Sequence, residues 1–199
     1  TLDLSGTPKL KHLNCADNRL TKLNLSSVPN LEFLHFGNEH IPFEDGLITD
    51  LDSPSNNIVD LDLKPVRELK ELVCSVSNLT KLTLPTLLKL TRLDCTENAI
   101  AELDLSSVPN LEKLVCSYNQ LTELDLSSVP NLEDLDCEGN LLTELDLSPV
   151  PNLKVLNCSV ANLDLSFVPN LTNITCIYKT GLRELDIRPL SAVEPIIST

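Results

Sequence analysis

The chain has no tryptophan and no methionine, and aromatic residues make up only 3% of its 199 positions. A core must therefore rest on leucine. The supply is adequate, because 42% of the residues are hydrophobic, too many for a chain disordered by composition. Positive charge is scarce too: 15 Lys and Arg stand against 29 Asp and Glu, a net charge of −14. Gripping a phosphate backbone requires cations that displace counterions, so nucleic acid is not an expected partner. The same shortage argues against anionic membrane surfaces. A basic partner or a divalent cation suits the balance better. No stretch approaches the roughly 18 consecutive apolar residues of a membrane span, so no membrane insertion is expected. No G-x-S-x-G, P-loop or dinucleotide fingerprint occurs, so neither an enzyme nor a cofactor is expected within these residues. The run from His35 to His40 has one residue too many for a zinc-binding H-x-x-E-H, and Gly37 and Pro42 break the helix such a motif needs.

What the chain does contain is a repeat. Residues 111–131 read LEKLVCSYNQLTELDLSSVPN and residues 132–152 read LEDLDCEGNLLTELDLSPVPN, a period of 21. The template is L-x-x-L-x-C-x-x-N-x-L followed by T-x-L-D-L-S-x-V-P-N, and its first half is the leucine-rich-repeat signature. Leucines at positions 1, 4 and 11 and cysteine at 6 are expected to point inward, with positions 3, 5 and 7 outward by strand alternation. One such turn cannot bury its leucines alone, but stacked turns share a continuous core. The remaining ten or so residues are too few for a helix and two corners. They read as a short extended segment closed by Val-Pro-Asn.

The expected fold is thus a leucine-rich-repeat solenoid: a parallel β-sheet on the concave face, short extended segments on the other face, and little helix. About eight turns span residues 1–199 as one domain. Two turns break the period. Phe36 takes the Cys position and lies 38 residues before Cys74, which predicts an insertion at about residues 38–58, and Cys158 to Cys176 is only 18 residues. The chain starts at Thr1 without Met and neither end looks capped, so a processed or truncated segment is expected.

Cys15, Cys74, Cys95, Cys116, Cys137, Cys158 and Cys176 share one template position, with Phe36 as a gap. Seven cannot pair fully. Parallel side chains stacked in a ladder are poorly placed for disulfides, and a spacing of 21 is unlike a zinc site. Free, buried structural thiols are expected. Asn18, Asn98, Asn119 and Asn140, three residues after cysteines, are expected to bond loop backbone of adjacent turns. Turns 2, 7 and 8 count as lacking this residue and should be looser. Asp3, Asp62, Asp104, Asp125, Asp146, Asp164 and Asp186 form a second ladder. Ca²⁺ could bridge its rungs, but one carboxylate per rung coordinates poorly, and local hydrogen bonding is the expected relief.

Function is expected where the template leaves freedom, at positions 3, 5, 7 and 8. His12, Phe33 and His35 cluster at the N-terminal end. Val73, Val115 and Tyr118 bracket charged positions that include Arg92 and Lys113. Asp136 belongs to an acidic strip, and Tyr178 lies in the last full turn. Aromatics among polar neighbours suit docking of a protein ligand.

The motifs LDCTENAIAELDLS, LVCSYNQLTELDLS and LDCEGNLLTELDLS resemble the cysteine-bearing 21-residue repeats of bacterial internalins, and the likeness runs over almost all of residues 1–188. The corner SSVPNL departs from that family's usual corner. The resemblance implies an extracellular or cell-surface domain of adhesin or virulence type that recognises a protein. A recognition module of a larger intracellular effector, or a structural stalk, would share the same core.

Overall fold

The computed structural model describes residues 2–37, 56–59, 61–160, 163–177 and 196–198. Its strands are β1 (His12–Asn14), β2 (Phe33–His35), β3 (Glu71–Val73), β4 (Arg92–Asp94), β5 (Lys113–Val115), β6 (Asp134–Asp136), β7 (Val155–Cys158), β8 (Asn173–Ile177) and β9 (Ile196–Ser198). All nine run parallel in one sheet, in chain order. The repeat fixes the register. Leu13, Leu34, Leu72, Leu93, Leu114, Leu135 and Leu156 are successive partners at position 4. The ladder therefore contains one more strand than the eight turns counted from the sequence. Ile197 pairs with Cys176, 21 residues earlier, so the period is restored without a cysteine to mark it.

From β2 to β6 each strand has a buried centre between half-buried neighbours, as in Lys113, Leu114 and Val115. Leu111, Leu114, Cys116 and Leu121 are fully buried, and Val108 and Leu126 close the same core from the far side. Each such leucine contributes about 1.5–3 kcal/mol relative to an exposed one. The corner is a double turn. Val108 N–H bonds Leu105 O at 3.1 Å and Leu111 N–H bonds Val108 O at 3.2 Å. The corner asparagine then ties turn to turn, with Asn110 Nδ2 donating to Leu88 O at 2.8 Å.

The convex limb carries no strand among the described residues, and only Leu165–Phe167 is helical, as a single 3-10 turn. That turn falls where the period shortens. Asp146 follows Cys137 by nine residues, whereas Asp164 follows Cys158 by six. Asp164 closes the tightened limb by accepting Ser166 N–H at 3.0 Å and Ser166 Oγ–H at 2.6 Å.

Position 8 explains how each turn leaves the sheet. Asp17, Val76, Glu97, Tyr118 and Gly139 all have φ between 50° and 67°. This left-handed conformation reverses the chain after the cysteine. Strand alternation therefore stops there, which corrects the expectation that position 7 points outward. Ser75, Thr96 and Ser117 are buried. Thr96 Oγ1 and Ser117 Oγ lie 3.4 Å apart in a short hydroxyl row.

The reversal also aims the position-9 amide inward. Asn119 Nδ2 donates to Cys95 O at 2.9 Å and Cys116 O at 3.1 Å, while its Oδ1 accepts Ile100 N–H at 3.0 Å. Asn98 and Asn140 repeat the pattern. Turn 2 does not lack this residue. Asn56, fully buried, donates to Cys15 O at 2.8 Å and Phe36 O at 2.6 Å and accepts Leu20 N–H at 2.8 Å. Ile58, also fully buried, fills position 11. The template thus stops after Gly37 and resumes at Asn56; residues 38–55 lie outside the described ones. Turn 3 uses Ser77 at this position, whose Oγ donates to Ser75 O at 3.1 Å. The corresponding residues of turns 7 and 8 lie outside the described residues.

All seven cysteines are free and buried. Burial pushes the Cys15 thiol up to about 11 and Cys137 to about 12, and Cys74, Cys95 and Cys116 rise for the same reason. These are apolar packing groups held protonated, not nucleophiles. Across the short turn, Cys158 Sγ lies 3.7 Å from Cys176 Sγ. Phe36 fills the gap in the ladder and is fully buried.

Candidate functional site

Two rows of side chains line the concave face. Position 3 supplies His12, Phe33, Glu71, Arg92, Lys113 and Asp134, which are successive partners across the sheet. Position 5 supplies Asn14, His35, Val73, Asp94, Val115 and Asp136 in the same way. Strand spacing places neighbours in a row about 4.8 Å apart, so each side chain can touch the next.

The contacts fall into groups along the sheet. At the N-terminal end the rings of His12 and Phe33 stack, with centroids 4.3 Å apart and planes 6° from parallel. Next, Glu71 joins two of the expected residues. His35 Nε2 lies 3.1 Å and Arg92 Nη1 3.4 Å from its Oε1. Arg92 Nε is buried and has no hydrogen-bond partner among the described residues. Lys113 pairs with Asp134. Glu71 and Asp134, which the sequence places at variable positions of this face, are therefore its ion-pair partners, a role the sequence reading did not assign them. Their signal was the register itself, since each lies one period from a named cation. Val73 and Val115 are half-buried between these polar groups.

Tyr118 stands apart, at position 8 on the rim rather than on a strand. It is half exposed, and its hydroxyl donates to Glu138 Oε1 at 2.9 Å. Burial of the ring and that bond push its hydroxyl up to about 12. The ring lies over Gly139, where an added Cβ would meet it at 2.6 Å. Asp136 accepts Glu138 N–H at 3.2 Å, yet its carboxyl sits above the usual range because it is largely desolvated. Tyr178 lies outside the described residues.

The second aspartate ladder runs along the convex limb. Asp3, Asp62, Asp104, Asp125, Asp146 and Asp164 each accept the amide N–H two residues on, at 2.8–3.0 Å. The hydroxyl and then the amide of the serine two residues on hold Asp104 and Asp164 below the ordinary carboxylate value, and the amide and then the hydroxyl do so for Asp3 and Asp125. Asp186 lies outside the described residues. Glu123, Asp125, Glu144, Asp146 and Asp164 border a shallow acidic depression there. Among the described residues no cluster of three or more potential ligands is arranged to hold a metal ion.

The family signature described as "Leucine Rich repeats (2 copies)" matches residues 109–150. Among solved structures, the functional domain of InlJ from Listeria monocytogenes, which includes a cysteine ladder, is 33% identical with a TM-score of 0.76. The match covers 98% of this chain and 45% of that one. The Leptospira interrogans LRR protein LIC12759 is 21% identical with a TM-score of 0.77, covering 97% of this chain and 50% of that one. The internalin InlF from Listeria monocytogenes is 21% identical with a TM-score of 0.69, covering 98% and 63%. The last two share the fold alone, and the chain spans about half the length of the first two. No curated protein sequence matches the chain.

Proposed function

Because the chain is an internalin-like leucine-rich-repeat protein, we propose that it is a non-enzymatic recognition domain of a bacterial surface or secreted protein and binds a protein ligand across its concave face. The observation that carries this is the fixed arrangement of that face. His12 is stacked on Phe33, Glu71 holds His35 and Arg92, and Lys113 is held by Asp134. Side chains already restrained before binding lose less freedom when a partner arrives. Aromatic and Arg side chains are the groups enriched at the centres of recognition surfaces, and charged pairs suit the polar rim. The surface or secreted setting rests on the internalin likeness. The thiols give no nucleophile, being buried and held protonated.

A photo-reactive amino acid at Val115 tests the concave face, and one at Glu123 tests the convex limb. After irradiation with an extract of cell-surface proteins, a discrete adduct is expected from position 115 only. It should disappear when Phe33, Arg92 and Tyr118 are all changed to Ala. An adduct that survives this triple change, or one formed only from position 123, overturns the proposal.

A further inference from the structure

We propose that the part of the concave face spanning β4–β6 docks an extended segment of the partner carrying two Lys or Arg side chains three residues apart. This rests on the concave-face reading and specifies the chemistry of its occupant. The argument begins with the local charge. The cations of this region are already engaged: Arg92 with Glu71, Lys113 with Asp134, and Lys154 with Glu133 at 2.7 Å. Asp94 and Asp136 accept amide N–H groups, and among the described residues no ion pair neutralises either. Both project from position 5 with the aliphatic Val115 between them. Desolvation raises the Asp136 carboxyl against hydrogen bonds from Glu138 N–H and the Asn157 side chain, a cost that an incoming cation would offset.

Spacing then selects the occupant. Asp94 and Asp136 are two strands apart, about 9.6 Å. A polyproline II segment crossing the strands repeats its facing side chain every three residues, about 9.3 Å. Two cations at that interval would each meet one carboxylate, with the stem between them lying on Val115. Tyr118 stands on the rim three residues beyond Val115 in the same turn, backed by Gly139 and half exposed, and offers a ring face to an Arg or Lys stem.

The probe is a short proline-rich peptide with two arginines three residues apart, and its isomer with the arginines adjacent, titrated calorimetrically at low salt. The spaced peptide should bind at least several-fold more tightly than the isomer. Asp94→Asn, Asp136→Asn and Glu138→Gln together should weaken it about tenfold. These changes spare the fold, because Asn14 already makes the same amide bond at its own position 5, accepting Ala16 N–H at 3.0 Å. Removing as much charge from the convex limb, by Glu102→Gln, Glu123→Gln and Glu144→Gln, should change affinity less than twofold to threefold. Equal effects from the two triple variants, equal binding of the two peptides, or no binding overturn the inference. A concave adduct at position 115 that persists in the neutralised variant would overturn it while leaving the concave-face reading intact.

Discussion

Replacing Asn56 with Ala should cost the protein about 2–6 kcal/mol, although the residue lies beyond a break in the repeat. Its amide serves three backbone groups. Cys15 O would keep a partner in Asn18 Nδ2 at 3.1 Å. Phe36 O and Leu20 N–H would each lose the side-chain bond from Asn56, and a buried polar group stripped of its partner costs about 1–3 kcal/mol. Asn57 is the internal control. Its backbone N–H bonds Leu20 O at 2.8 Å, its side chain is exposed, and alanine there should cost under about 0.5 kcal/mol. Urea unfolding followed by far-ultraviolet circular dichroism measures both. In a solenoid each turn contacts only its neighbours, so a fall in the denaturant slope as well as the midpoint would show the first turn peeling away before the rest. Equal costs for Asn56→Ala and Asn57→Ala would refute the reasoning.

Gly37→Ala should destabilise by at least about 2 kcal/mol, because its Cβ would lie 2.2 Å from Ser75 O. Gly6→Ala, with nothing within 4 Å, should be near neutral in the same thermal melts, and matched melting points would dismiss the contact. The thiols set an alkaline limit. Cys15 and Cys137 titrate near 11 and 12 when folded against an ordinary 9.0. Their raised values contribute stability that is complete below pH 9 and lost as pH rises through the folded values. The urea midpoint under reducing conditions should fall from pH 8 to pH 11, and Cys137→Val should flatten that fall; a midpoint that holds steady or rises would rule this out.

The core was legible because its signal is local. Leu111, Leu114, Cys116 and Leu121 recur at fixed spacing, and stacking follows from that alone. Three features escaped. Asn56 was hidden because the insertion shifts it 17 places from where a count from Phe36 would seek it. Burial of Ser75, Thr96 and Ser117 depends on the backbone reversal at position 8, and residues as different as Val76, Glu97 and Tyr118 make that reversal. The last strand lacked both cysteine and leucine at its centre, leaving only the interval of 21 as its mark. On the face, residue types were readable but pairings were not. Glu71 faces both His35 and Arg92, and nothing in the repeat favours that choice over a bond along its own strand.

The departure after Gly37 and return at Asn56 show where this architecture admits foreign sequence. Eighteen residues, 38–55, stand where other turns spend one, yet the Asn56 amide still closes the turn onto Cys15 O and Phe36 O. The same junction recurs in every regular turn, for instance between Ser117 and Asn119. A lineage or a designer could therefore graft loops at successive turns, spaced about 5 Å apart along one rim, and vary a binding repertoire without rewriting the scaffold.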